Sequence, residues 1–249
     1  MEETKDSKMI QNQTIIKAEE LCVYFKRTNT KALENISFEV GKGETIALLG
    51  HNGAGKSTLL RCIYGSLRVQ SGSVKINGEI IKNYTDIFFQ SEDFLMNQSM
   101  TVFENIYFRL NLLKNEKFDI ESILCEYGLI EKLDTPIKYL SSGLKQRASL
   151  AFGLSSKPLL MLLDEPTNAV DPATKYLLEK KMREYKEKLA TCIFATHELD
   201  FAYRVSDRIL MLQNGHLIKD VQVRDLDSSE ELKEMYFKAS KDSLLREVI

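Results

Sequence analysis

The chain has 249 residues, a length that fits one large domain or two small ones. Its 34 Lys and Arg residues nearly balance 36 Asp and Glu residues, whereas a dedicated nucleic-acid binder usually has a strong basic excess, so no nucleic-acid partner is expected. Four dispersed cysteines without a CxxC pair argue against a zinc site or a disulfide framework. No apolar run approaches the roughly 20 residues needed to span a bilayer.

The predicted elements begin with strands. Residues 36–40 alternate apolar and polar side chains, which is typical of a strand with one exposed face. Residues 45–49 are continuously apolar, which indicates a strand buried on both faces. Asn77-Gly78 predicts a hairpin turn within residues 74–81. These patterns predict both an antiparallel layer and a more deeply buried sheet.

Helices and further strands follow. A helix is predicted to begin at Thr101, where Glu104 completes a capping box, and a second one to run from about Asp119 to Gly128. The later predicted elements are an apolar strand at 159–163, a helix bearing Leu178, Met182, Tyr185 and Leu189, short strands at 192–195 and 209–212, and a hairpin at Asn214-Gly215. Strands that alternate with helices in this way indicate a parallel α/β sheet.

These elements predict an α/β fold with a mostly parallel sheet, an antiparallel β subdomain and an inserted helical subdomain. The main domain is expected to cover residues 14–228, with the helical insertion at about 91–156. Residues 1–13 are predicted to form a disordered tail. Residues 229–249 are predicted to form a C-terminal helix that packs on the domain's own sheet, with a dimer contact or a membrane-surface helix as the alternatives.

The strongest chemical signal lies between the apolar run 45–49 and an apolar helical run, and it matches the pattern GxxxxGK[ST]. Its residues are Gly50, His51, Asn52, Gly53, Ala54, Gly55, Lys56 and Ser57, followed by Thr58. Glycines let successive N–H groups point at phosphate oxygens, and the helix that follows adds the positive end of its dipole. Lys56 is expected to reach the β- and γ-phosphates of a nucleotide and Ser57 to hold Mg²⁺. The motif predicts that the parallel sheet is a P-loop NTPase core. The alternative is a tight turn without a ligand.

A second signal is the carboxylate pair Asp164-Glu165 at the end of the apolar run 159–163. Ligands of open α/β folds bind at the carboxyl edge of the sheet, where such a strand ends. Asp164 is therefore expected to hold Mg²⁺ through water, and Glu165 to orient and deprotonate the attacking water. Capping of the following segment is the alternative role for the pair.

Together these motifs resemble the nucleotide-binding subunit of ATP-binding cassette (ABC) transporters from about Ile15 to Val223. The elements that carry the resemblance are Gly50 to Thr58 as the Walker A loop, Leu160 to Glu165 as Walker B with the catalytic glutamate, Gln90 as the Q-loop glutamine, Asn168 to Asp171 as the D-loop, His197 as the switch histidine and Phe25 (or Tyr24) as the aromatic that stacks on adenine. Taken singly, Gln90, His197 and Phe25 would each have an ordinary structural explanation.

The family's LSGGQ signature is altered here to Leu140-Ser141-Ser142-Gly143-Leu144. The resemblance implies that Ser141 and Gly143 bind the γ-phosphate of ATP held by the opposite subunit. Ser142 adds a Cβ atom where backbone is expected to approach phosphate. The aliphatic residue at position 144, and the stretch 165–172, are similar to ABC exporters of the ABC-2 type.

The resemblance implies an ATP- and Mg²⁺-dependent hydrolase. Catalysis is assigned to Glu165, His197 and Gln90, and the metal to Ser57, Gln90 and Asp164. Its partners are a second ATPase subunit, identical or different, and a membrane-spanning permease, at whose cytoplasmic face the chain is placed as a peripheral protein. The permease is expected to dock on the helical insertion, with the loop residues Phe94, Leu95 and Met96 as candidates and ordinary core packing as their alternative.

Two other functions remain open at this point. One is a soluble single-cassette ATPase of the iron–sulfur assembly type. The other is a regulatory subunit of a heterodimeric transporter that binds ATP without hydrolysing it, an option that Ser142 and Leu144 keep open while Glu165 and His197 argue against it.

Overall fold

The computed structural model describes residues 13–25, 29–77, 86–91, 96–112 and 118–246. Within these residues the strands are β1 (Thr14–Phe25), β2 (Thr30–Gly41), β3 (Thr45–Leu49), β4 (Ser71–Ile76), β5 (Ile87–Gln90), β6 (Leu160–Asp164), β7 (Thr191–Thr196), β8 (Arg208–Gln213) and β9 (His216–Gln222). The α-helices are α1 (Lys56–Tyr64), α2 (Val102–Leu112), α3 (Ile120–Glu126), α4 (Ser142–Leu154), α5 (Pro172–Glu187), α6 (Leu199–Val205) and α7 (Ser229–Arg246), with short 3-10 turns at Ile130–Lys132, Ile137–Tyr139 and Val223–Asp225.

The larger sheet has the strand order β5-β6-β7-β3-β8-β9. Its first five strands are parallel, and β9 pairs antiparallel with β8. Every residue of β3, β6 and β7 is buried, because the sheet is covered on both faces. Ile46 and Leu48 point into the cluster shared with α1 and the smaller sheet, whereas Ala47 and Leu49 point into the cluster formed with the other helices. The prediction of a mostly parallel α/β sheet is confirmed.

The smaller sheet has the order β2-β1-β4 and is antiparallel throughout. Ile36, Phe38 and Val40 are buried, and the residues between them are exposed, so one face of β2 packs against the core as its alternation predicts. The predicted hairpin at Asn77-Gly78 extends beyond the described residues. The antiparallel layer predicted near the start of the chain is confirmed.

The chain between β5 and β6 is helical in its described parts. Thr101 and Glu104 form the predicted capping box, since each side chain accepts the other's backbone N–H, at 3.1 and 2.8 Å. Asp119 caps α3 by accepting the N–H of Ser122 at 3.0 Å. Met96 is buried in the core cluster, so its prediction as a docking residue is wrong and the core alternative holds for it. Phe94 and Leu95 lie outside the described residues.

The C-terminal helix α7 packs against α6. Leu232 is fully buried in the core, and Lys233 forms an ion pair with Asp200 of α6 at 3.1 Å. The predicted tail at residues 1–13 falls almost wholly outside the described residues. Among the helices of the described ranges, none combines the length and the apolar character that crossing a bilayer requires.

Candidate functional site

The glycine loop joins the end of β3 to the start of α1 in a backbone path that other residues could not follow. Gly53 and Gly55 have positive φ angles of +85° and +108°. A Cβ atom at Gly55 would lie 2.6 Å from the carbonyl oxygen of Ala32, and one at Gly50 would lie 2.5 Å from that of Leu212. The loop therefore needs glycine both for conformation and for close approach of neighbouring backbone.

A cavity of about 430 Å³ lies over this loop. Its lining comprises Phe25, Thr30, Ala32, the loop residues 51–58 and Glu165. Phe25 is thus brought to the loop as predicted from the resemblance, whereas Tyr24 is not among the lining residues. Ala32 and Thr30 were not predicted, because nothing in their side chains marks them as binding residues.

Lys56 is buried at the centre of the site, with 5% of its side chain exposed. Its Nζ donates to the carbonyl oxygen of Gly50 at 2.7 Å and forms an ion pair with Glu165 Oε1 at 3.1 Å. Glu165 is itself only 10% exposed. A buried ammonium held between a loop carbonyl and a carboxylate is a suitable partner for a phosphate group that enters the cavity.

The carboxyl end of β6 places two carboxylates beside the loop. Ser57 Oγ donates to Asp164 Oδ1 at 2.9 Å, so the hydroxyl and the carboxylate predicted to serve one metal ion are adjacent. Glu165 has a positive φ of +47°, unusual for a residue with a side chain, and His197 Nδ1 lies 2.9 Å from Glu165 Oε2. Strained backbone of this kind is common at functional sites.

Gln90 ends β5 next to Asp164. It is buried, and its Nε2 donates to Oε1 of Gln146 in α4 at 2.6 Å. Gln90 Oε1 is buried and has no hydrogen-bond partner among the described residues. Mg²⁺ prefers oxygen ligands, so an unpaired amide oxygen near Asp164 and Ser57 fits the predicted metal site. Gln146 was not singled out from the sequence, and no local pattern would have indicated a contact across 56 residues.

The altered signature lies at the start of α4. Ser141 is exposed and caps the helix by accepting the N–H of Leu144 at 3.4 Å. Ser142 is exposed as well, and its hydroxyl donates to the carbonyl oxygen of Ala169 at 2.7 Å. Gly143 is the crowded position, since a Cβ there would lie 2.5 Å from Asp171 Oδ2. Ser142, one of the two positions that depart from the family pattern, is thus exposed at the surface.

Asp171 joins the loop after Glu165 to α5. It caps that helix by accepting the N–H of Thr174 at 2.9 Å and its hydroxyl at 2.8 Å, and these bonds lower the pKa of the Asp171 carboxyl. Arg147 of α4 donates to the same Thr174 hydroxyl at 2.8 Å. The predicted D-loop is therefore bonded to the signature helix within one subunit.

A junction of three backbone segments holds the smaller sheet against the glycine loop. Ala32 of β2 lies against both Gly55 and Gly215, and the N–H of Glu34 donates to the Gly215 carbonyl at 2.8 Å. The N–H of Gly215 in turn donates to the Ala54 carbonyl at 3.1 Å. This junction fixes the sheet that carries Phe25 relative to the loop.

The site combines a buried strand, a glycine loop, a helix that begins at the loop's lysine and a second parallel strand of the same sheet that leads into two carboxylates. These features define a P-loop nucleotide-binding protein. The chain belongs to the ABC transporter family, whose model matches residues 33–168, more than half of the chain.

Two curated relatives are methionine import ATP-binding proteins. The protein MetN 4 of Oceanobacillus iheyensis is 34% identical over 84% of this chain and 64% of its own length. The protein MetN of Histophilus somni is 36% identical over 81% of this chain and 62% of its own length. The chain therefore spans somewhat less than two thirds of the length of these relatives.

Solved structures give the same fold. The ATP-binding subunit of an ABC transporter superposes with a TM-score of 0.81 at 26% identity, covering 91% of this chain and 100% of that one. A dimeric bacterial ABC transporter cassette superposes with a TM-score of 0.74 at 25% identity, covering 84% and 99%. The predicted fold class is confirmed by these neighbours.

Proposed function

We propose that this chain is the ATP-binding and ATP-hydrolysing subunit of a membrane transporter. The observation that carries the proposal is the meeting of Lys56, Ser57, Asp164, Glu165 and His197 at one edge of the parallel sheet, over a glycine loop. Phosphoryl transfer needs little covalent chemistry from the protein, and charge neutralisation with correct positioning supplies most of the catalysis.

Each residue has a role that its contacts support. The loop N–H groups and Lys56 bind the β- and γ-phosphates, and Phe25 stacks on the adenine. Ser57, Asp164 and Gln90 hold Mg²⁺, which neutralises charge on the phosphates when bound. Glu165 takes a proton from the attacking water, and His197, whose ring lies against that carboxylate, contacts the γ-phosphate.

We propose further that two cassettes act together. Ser141 is exposed at the N-terminus of α4, where the helix dipole favours an anion, yet it lies outside the lining of the cavity over its own glycine loop. Ser141 and the Gly143 N–H thus suit the nucleotide of a second subunit. That a solved cassette with this fold is dimeric supports the presence of a second subunit. The permease is the partner that the family implies, and its docking would place this chain at the cytoplasmic face of the membrane.

The direction of transport that we propose is import. Export was predicted from residues 140–144 and 165–172, but the relatives reported above carry names that state methionine import. Methionine is therefore the first cargo to test. Deletion of the chain is expected to reduce uptake of labelled methionine by cells, and unchanged uptake would count against this cargo.

The catalytic part of the proposal is tested with purified protein, Mg²⁺ and ATP. Glu165→Gln is expected to retain nucleotide binding and to lose turnover by about 10²- to 10⁴-fold, the usual contribution of a general base. Glu184→Gln, a carboxylate paired with Lys181 away from the cavity, is the matched control and should leave turnover unchanged. Unchanged turnover in Glu165→Gln would overturn the role of Glu165. Wild-type protein that binds ATP without hydrolysing it would favour a regulatory subunit.

The partner is tested by affinity purification of the tagged chain from gently solubilised native membranes. Recovery of a stoichiometric multi-spanning protein would support a transporter subunit. Recovery of soluble partners alone, with no chain in the membrane fraction, would instead support a soluble ATPase.

A further inference from the structure

The contact between Gln90 and Gln146 joins two parts of the chain to which different tasks are assigned. Gln90 ends β5 at the metal side of the site, and Gln146 lies in α4, whose N-terminus is assigned to the nucleotide of another subunit. Both side chains are buried, at 2% and 3% exposed, and their amides are 2.6 Å apart. Both line a cavity of about 250 Å³ that also borders Asp164 and Glu165.

The direction of this hydrogen bond fixes which atom of Gln90 is available. Gln146 Oε1 is an acceptor, so it must face the amide nitrogen of Gln90. If the Gln90 amide alone turned by 180°, two amide oxygens would meet in a buried place, which costs the desolvation of both. If both amides turned together, Gln146 Nε2, which has no partner among the described residues, would instead donate to Gln90 Oε1. In the observed pairing Gln90 Oε1 has no hydrogen-bond partner among those residues. A hard divalent cation requires that oxygen and would be repelled by the nitrogen's hydrogens.

Resting on the proposed function, we propose that Gln146 is a positioning residue of the metal site. Through the observed hydrogen bond it holds the amide of Gln90 so that the oxygen is presented to the metal bound with the nucleotide. Metal ligands are commonly oriented by a neighbour that is not itself a ligand, and loss of such a neighbour typically lowers metal affinity by about 10- to 100-fold.

The test is a double-mutant cycle with Gln90→Met and Gln146→Met. Methionine matches glutamine in length and supplies no strong acceptor. The probe is Mn²⁺, whose binding is measured by electron paramagnetic resonance in the presence of a saturating non-hydrolysable ATP analogue. Each single variant is expected to weaken Mn²⁺ binding by about tenfold or more, and the double variant to be no weaker than Gln90→Met. Affinity for the analogue without metal should stay unchanged in all of them.

Two outcomes would overturn the inference. One is a double variant whose loss is the sum of the two single losses, because a residue that acts only through Gln90 has nothing to lose once Gln90 is gone. The other concerns Gln146→Glu, whose carboxylate can still accept from the Gln90 nitrogen. This variant is expected to retain Mn²⁺ binding near the wild-type level, and a loss equal to that of Gln146→Met would contradict an acceptor role.

A second measurement needs no change at Gln146. The NMR signals of the Gln90 side-chain NH₂ are assigned by their absence in Gln90→Met. In wild-type protein one of the two NH₂ protons should be protected from hydrogen exchange. The chemical shift of the Gln90 side-chain carbonyl carbon should change when Mg²⁺ and the analogue are added. Free exchange of both protons would overturn the inference even if Gln146→Met failed to fold. Wild-type protein that binds neither the analogue nor Mn²⁺ would instead overturn the proposed function, so the two failures are distinguishable.

Discussion

Helix α4 and strand β5 touch at a second pair besides the two glutamines, and this pair allows a sharp stability test. Gly153 lies seven residues after Gln146 on α4, and Phe88 lies two residues before Gln90 on β5, so both pairs belong to one helix–strand interface. A Cβ atom at Gly153 would overlap three carbons of the Phe88 ring. The ring is 2% exposed, so moving it would displace closely packed neighbours.

Gly153→Ala is therefore expected to destabilise the protein. Overpacking of a tight core costs about 1–3 kcal/mol of stability. Because the new methyl group overlaps three ring carbons, we expect a cost near the upper end, about 3 kcal/mol. The higher helix propensity of alanine offsets about 1 kcal/mol of this loss. The net loss of about 2 kcal/mol corresponds to a fall in melting temperature of about 4–8 °C for a chain of this size.

The assay is thermal or urea unfolding of four proteins: wild type, Gly153→Ala, Phe88→Leu and the double variant. Phe88→Leu removes ring atoms from the space that the new methyl group needs, so the double variant should lose less than the sum of the single losses, by at least about 1 kcal/mol. Additivity within about 0.5 kcal/mol would refute the packing argument. A Gly153→Ala protein more stable than wild type would refute it too.

The remaining predictions concern the loop, the α5 cap and the thiols. In Gly53→Ala the new Cβ meets no atom within 4 Å and adds only the strain of a positive φ, about 1–2 kcal/mol, so nucleotide binding should weaken about tenfold. In Gly55→Ala the new Cβ also meets the Ala32 carbonyl oxygen at 2.6 Å, so this variant should bind nucleotide far more weakly. Equal losses of affinity in a fluorescent-nucleotide titration would contradict this prediction. Bonds from Thr174 hold the pKa of Asp171 below its usual value near 3.8, so the stability from its ionised form is present above that pH and lost as the pH falls through the lower folded-state pKa. The wild-type protein should accordingly have a higher melting temperature than Asp171→Asn at pH 5–7, and the difference should shrink below about pH 4. A difference in melting temperature that grows on acidification would be evidence against the cap. Burial raises the pKa of Cys62 to about 11, so about one Cys62 side chain in a thousand is a thiolate at pH 8. Cys62 and the buried Cys192 should therefore react with a thiol reagent only after unfolding, whereas the exposed Cys125 should react in the native protein. Rapid labelling of Cys62 in native protein would show that α1 opens readily.

The part of the site that the sequence predicts is the part built from local patterns. The glycine loop follows an apolar run at residues 45–49, and Asp164-Glu165 follows another, so hydrophobic periodicity and end-of-strand chemistry located both. In the structure Ser57 lies 2.9 Å from Asp164, which confirms that these two segments meet.

The part that was not predicted depends on contacts that leave no local trace. Gln146 meets Gln90 at an interface where Gly153 also leaves room for the Phe88 ring, and a hydrogen bond across 56 residues has no periodicity to detect. Ala32 contributes its backbone, which every residue possesses. The crowding at Gly143 was not predicted either, because only the three-dimensional course of α4 brings that residue to Asp171. The expected effect of the Ser142 Cβ on phosphate binding stays a prediction.

The junction of Ala32, Gly55 and Gly215 has a consequence for redesign of the proposed base pocket. It is made of carbonyl oxygens, N–H groups and glycine α-carbons, so backbone contacts help to hold the sheet that carries Phe25 against the glycine loop. For the nucleotide site proposed above, substitutions at Phe25 and Thr30, which line the cavity, are expected to change the accepted base while the glycine loop keeps its position. The proposed base contacts can thus be altered separately from the proposed phosphate contacts.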